Sequence, residues 1–175
     1  MVNSKLNQLN SNTFFSSKTN TLNFLQKKLK FSLIEPIYDF TISNWIENKS
    51  KILKDIEIKF DKYVIIRSSA IGEDSPESSQ AGSFSSFLNI PANSNKKLES
   101  AINSVIQSYS DKGNIDNQNQ ILVQKQTEDI ICSGVVFSRS LDLGSPYYII
   151  NYEEGTSTTC VTQGLINNSI RIHRN

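Results

Sequence analysis

The sequence predicts an α+β fold, and three observations carry that prediction. Apolar residues recur at helical spacing in separate stretches of the first two-thirds of the chain. The remainder is a succession of short strand-like runs broken by Gly, Asp and Pro. Helices and strands do not alternate regularly, as a doubly wound parallel sheet would require.

Taken in order, residues 1–15 are polar and read as a flexible N-terminus. Over 21–30, Leu22, Leu25 and Leu29 share a helical face with Phe24 beside them, and Ser17 or Thr19 is placed to cap that helix. The run FSLIEPIYDF reads as extended, because Pro36 turns Glu35 away from helical angles. Ser43 caps a second amphipathic segment carrying Trp45, Ile46, Ile52, Leu53 and Ile56. YVIIR, at 63–67, is a short buried strand, and FSSFLNI resumes as a strand after a Ser-rich loop. Asn95 caps the clearest helix, whose apolar stripe is Leu98, Ala101, Ile102, Val105, Ile106 and Tyr109. Past the solvated turn DKGNIDNQNQ come the strands ILVQKQ, CSGVVFSR, YYIINY, TTCVTQ and SIRIHR. This order suggests a first α+β lobe over 16–112 and a β-rich second lobe over 120–175.

Composition narrows the function classes. At 175 residues with 37% hydrophobic content the chain can bury a core. A formal net charge of +1 gives no general attraction to nucleic acid or to an anionic membrane. No stretch reaches the roughly 20 apolar residues of a membrane helix, and the N-terminus lacks a basic-then-apolar signal pattern, so a cytoplasmic location is expected. Cys132 and Cys160 sit within strand-like runs and are expected as free buried thiols.

One stretch stands out: IIRSSAIGEDSPESSQAGSFSSFLNI, at 65–90. Arg67 ends an apolar strand, so its guanidinium is expected to emerge at the sheet edge with its fork available to phosphate or carboxylate. Ser68 and Ser69 add hydroxyls and backbone N–H groups at the same place, and Gly72 and Gly82 permit close approach. Such a segment cradles phosphate, folds over a ligand as a lid, or simply joins two strands with Arg67 paired to a structural acid. Its length favours a functional loop over a plain connection.

The order of residues resembles the start of phosphoenolpyruvate synthases and pyruvate phosphate dikinases, where the pattern runs approximately V-R-S-S-A-x-x-E-D-x-x-x-x-S-x-A-G-x-F-x-T-F-L-N-V. Arg67, Ser68, Ser69, Ala70, Glu73, Asp74, Ser79, Ala81, Gly82, Phe84, Phe87, Leu88 and Asn89 match it in register. Downstream, Val123, Gln124, Ser133, Gly134, Val135, Phe137 and Arg139 resemble the V-Q-x-M-V and S-G-V-x-F-T-R segments of that family. Upstream, Lys18, Leu22 and Leu25 resemble its G-G-K-G/N-x-x-L-x-x-L opening, with Ser16 and Ser17 in place of the two glycines.

The resemblance implies an ATP-grasp-like nucleotide-binding domain of two lobes that uses ATP and Mg2+. Carried over by position, Lys18 and Arg67 would contact nucleotide phosphates, with Ser68, Ser69 and Gly82 bounding a flexible cover. Arg139 would be a third cation. Glu153 would be an acid facing the nucleotide or its magnesium, with a solvated turn as the other reading. The phosphorylated histidine of the family lies on a separate domain, so His173 is read as an ordinary strand histidine and no catalytic residue is expected in this chain. The Asp/Glu-x-Glu strand of the family is not found after Gly164. The implied reading is the N-terminal part of an ATP-dependent phosphotransferase, cut within its second lobe. Its partners would be the histidine-carrying and acceptor-binding domains of the same protein, with pyruvate as one acceptor. Two alternatives stay open. NYEEGTSTTCVTQG departs from the usual Gly-rich turn and resembles a divergent branch that includes a kinase acting on the amide of L-glutamine. The other alternative is a nucleotide-binding module without chemistry.

Overall fold

The computed structural model describes residues 17–70, 74–75, 78–79, 85–113, 116–155 and 168–174. These contain three helices and nine strands, in two units that meet between Gln126 and Thr127.

The first unit holds α1 (Lys18–Gln26), β1 (Ile37–Thr41), α2 (Ile42–Lys59), β2 (Tyr63–Ser69), the two-residue strands β3 (Asp74–Ser75) and β4 (Ser78–Ser79), β5 (Ser86–Pro91), α3 (Asn95–Asp111) and β6 (Gln120–Lys125). Its sheet is antiparallel in the order β1-β6-β2-β5, and β3 pairs only with β4. Directly opposed residues share a face, so the pairings Phe40↔Ile121, Ser68↔Ile121, Ile66↔Val123 and Ile66↔Phe87 define one side. That side carries Val64, Ile66, Ile121 and Val123, all fully buried, and α2 and α3 pack onto it. Full burial of each such side chain is worth about 1.5–3 kcal/mol. From α3 the core receives Leu98, Ala101, Ile102, Val105 and Tyr109, which is the stripe read from the sequence with Ile106 at its margin.

The caps shift several element boundaries. Ser17, not Thr19, caps α1, accepting the Asn20 N–H, and the helix therefore starts at Lys18 rather than near residue 21. In α2 the cap is Thr41 rather than Ser43. Its hydroxyl accepts the Asn44 N–H while Asn44 accepts the Thr41 N–H, a reciprocal capping box. Ser94 occupies the cap position of α3, one residue before the expected Asn95, without a side-chain hydrogen bond. Strand β2 continues two residues beyond Arg67. The strand at 120–125, read from sequence as the start of the β-rich lobe, lies instead between β1 and β2 in the first sheet.

The second unit is an antiparallel meander of β7 (Cys132–Phe137), β8 (Tyr147–Glu154) and β9 (Asn168–His173), in that order across the sheet. Every residue in the buried hydrophobic set of the described chain lies at or before Val123, so this sheet carries no buried core of its own among the described residues. Cys132, expected as a buried thiol, is free and exposed, on a strand that lies at the edge of its sheet among the described residues. The expected strand TTCVTQ, with Cys160, lies outside the described residues. No helix among the described residues is long and apolar enough to cross a membrane.

Candidate functional site

Arg67 stands in β2, a central strand paired with β6 on one side and β5 on the other. Its cross-strand row, on the face opposite α2 and α3, reads Asp39 (β1), Leu122 (β6), Arg67 (β2) and Ser86 (β5). Leu122 is fully buried within that row and gives it an apolar floor. Arg67 is half-buried, and its guanidinium makes no hydrogen bond or ion pair among the described residues. The acid in its row is engaged elsewhere. Asp39 bonds to Asn23 of α1 and feels the charge of Lys59, both of which pull its carboxyl pKa down, yet burial outweighs them and holds it above the ordinary 3.8.

Two residues further along β2, the polar groups close on one another. Ser68 and Ser69 are 2% and 0% exposed. Strand β2 continues through both of them into the core at Ala70. The Ser69 oxygen accepts both the backbone N–H (3.0 Å) and the hydroxyl (2.9 Å) of Thr19 in α1. The Ser69 backbone N–H donates to the Tyr109 hydroxyl at 2.7 Å, and that hydroxyl donates to the carbonyl of Gln120 at 2.6 Å. Ser69 and Gln120 are cross-strand partners, so the phenol oxygen of α3 stands between the paired ends of β2 and β6. Ser17 completes the cluster by donating to the Gln120 side chain at 2.7 Å. The first turn of α1 thus spends the N–H groups of Thr19, Asn20 and Thr21 internally, on Ser69, the Ser17 hydroxyl and the Ser17 carbonyl. Lys18 is the first helical residue of this end.

The remaining expected residues lie elsewhere. Arg139 follows β7, is exposed, and donates to the Gly144 carbonyl at 3.0 Å, closing a turn in which Gly144 takes φ +63°. Glu153, in β8 opposite Ser133, buries its Oε2 without a hydrogen-bond partner among the described residues. His173, in β9, meets Tyr147 edge-on. Gly82, and with it 71–73, 76–77 and 80–84 of the expected cover, lies outside the described residues. Lys18, Arg67, Ser68 and Ser69 thus all lie in the first unit, and Arg139 and Glu153 in the second.

Sequence reasoning missed Thr19, Tyr109 and Gln120. Tyr109 closes an apolar stripe, and only its hydroxyl distinguishes it from core filling; a buried tyrosine needs a partner for that group. Asn89, a motif position without an evident role, also gains one. It sits at φ +57° where β5 bulges against β2; its backbone N–H donates to the Gln126 side-chain oxygen and its own side-chain oxygen accepts from the Gln126 amide nitrogen, both at 2.7 Å. Asparagine tolerates that left-handed geometry better than most residues.

A comparison with curated proteins returns no match. The family model of the pyruvate phosphate dikinase AMP/ATP-binding domain matches residues 2–174, nearly the whole sequence. With Arg67 on the central strand and Lys18 opening the helix tied to it, the chain belongs to the pyruvate phosphate dikinase AMP/ATP-binding domain family.

Proposed function

We propose that this chain is the nucleotide-holding, ATP-grasp-type part of a cytoplasmic ATP-dependent phosphotransferase, in which Arg67 and Lys18 bind the phosphates of ATP. The observation that carries this reading is the half-buried Arg67, without a partner among the described residues while the acid in its own row is bonded to Asn23. A desolvated cation lacking an internal counter-charge is costly unless a ligand supplies one. Polyphosphate does so, and the guanidinium fork meets its oxygens two at a time.

Phosphoryl transfer asks the protein for positioning and charge neutralisation more than for covalent work. The residues of this chain do that work, and the phosphoryl group passes to a histidine on a separate domain and then to an acceptor such as pyruvate. In the second unit, Arg139 and Glu153 are proposed as further nucleotide contacts, each on its own grounds. Glu153 Oε2, without a hydrogen-bond partner among the described residues, would be able to hold Mg2+, which would supply positive charge to the phosphates.

Titration calorimetry with ATP and magnesium tests the reading on wild type and Arg67→Ala. Loss of the fork is expected to weaken ATP by about tenfold or more. Unchanged affinity in the variant removes Arg67 from the site.

A further inference from the structure

Lys18 and Arg67 come from different elements, and an unliganded helix end and strand end have no intrinsic reason to keep a fixed separation. The buried cluster beside them supplies one. Ser69 is two residues beyond Arg67 on the same face of β2, and Thr19 is the residue after Lys18 on α1. The two bonds from Thr19 to the Ser69 oxygen join these elements directly, at 3.0 and 2.9 Å. Ser69 is in turn held at its backbone by Tyr109, and Tyr109 is held by Gln120. Thr19 and Ser69 are fully buried and Tyr109 is 1% exposed, so water does not compete for these bonds.

We infer that Thr19, Ser69 and Tyr109 form a buried strut that sets where Lys18 stands relative to Arg67, making them positioning residues for the polyphosphate end of the nucleotide. The inference rests on the function proposed above. It adds that phosphate affinity is governed by three side chains that never touch phosphate. The strut runs from α3 through the end of β2 to the first turn of α1, so each bond removed lets the helix carrying Lys18 shift against the strand carrying Arg67. A displacement of an ångström is enough to uncouple two cations from one ligand.

The test is ATP affinity, by calorimetry with magnesium, in Thr19→Val, Thr19→Ser and Tyr109→Phe, each checked for a native circular dichroism spectrum. Thr19→Val and Tyr109→Phe are expected to weaken ATP about threefold to tenfold, the range of one or two lost buried hydrogen bonds. Thr19→Ser keeps both donors and is expected to bind as wild type does. Because the strut acts through Lys18, adding Thr19→Val to Lys18→Ala is expected to cost nothing further. Full additivity of those two changes, or wild-type affinity in both Thr19→Val and Tyr109→Phe, overturns the strut. If Arg67→Ala weakens ATP while the strut variants do not, only the strut falls. If wild type itself does not bind ATP, the proposed function falls and the strut with it.

Discussion

Asp39 and Arg67 share one row of the sheet, yet the structure treats their charges differently. Arg67 stays half-buried without a partner among the described residues, whereas Asp39 is bonded to Asn23 and has its pKa raised by burial above 3.8. A carboxyl with a raised folded pKa contributes most below its unfolded value, and that contribution is lost as pH climbs through the folded one. Asp39→Asn retains an acceptor for Asn23 without a charge to bury. The variant is expected to melt higher than wild type at neutral pH, and the gain is expected to vanish at or below 3.8. Melting curves at the two pH values decide it; an equal gain at both would point to packing rather than charge. The residue scale is also where the sequence was least transparent. Arg67 could be singled out because an arginine closing an apolar run is conspicuous. Ser68 and Ser69 could not be placed, because serine carries no hydrophobic signal and nothing in the letters shows the strand running on into the core.

At the scale of elements, legibility followed periodicity. The stripe on α3 was readable because five of its members are buried at helical intervals. Boundaries were less so, since Ser17, Thr41 and Ser94 compete with neighbouring Thr19, Ser43 and Asn95 of the same capping chemistry. The motif glycine Gly134 now has a physical reason in β7. A Cβ there would stand 2.7 Å from the Asn151 carbonyl oxygen and 3.2 Å from the Tyr152 Cβ on β8. Gly134→Ala is therefore expected to cost about 1–3 kcal/mol, as overpacking does, by forcing β7 and β8 apart. Trp45, the only tryptophan, lies in α2 of the first unit, so its fluorescence transition should stay in place while far-ultraviolet dichroism loses strand signal early. A matching shift of the Trp45 transition would contradict a local clash.

At the scale of the whole molecule, the apolar interior of the described residues is concentrated in one unit. The buried hydrophobic residues run from Ile37 to Val123, whereas Val136, Ile170 and Ile172 on the meander are 62%, 45% and 48% exposed. Hydrophobic burial dominates stability, so the first unit should resist opening longer than the second. Limited proteolysis is expected to leave an N-terminal fragment ending near Gln126, identifiable by mass. Early cuts before Gln126 with the meander intact would reverse the order. The α+β class and the late meander were legible from the pattern of runs. The membership of β6 was not, because a strand of six residues carries no mark of which sheet it joins, and only its pairing with both β1 and β2 decides the matter.

The phenol oxygen between Ser69 and Gln120 has a consequence for shape. A single atom accepts the Ser69 N–H and donates its proton to the Gln120 carbonyl at the paired ends of two strands, and Ser17 and Thr19 dock on those same two residues. The residues that seat α1 are thus held by an oxygen delivered from the helix layer on the other face of the sheet. Removing that atom without changing the ring would loosen the seat of α1 without any residue of the helix having been touched.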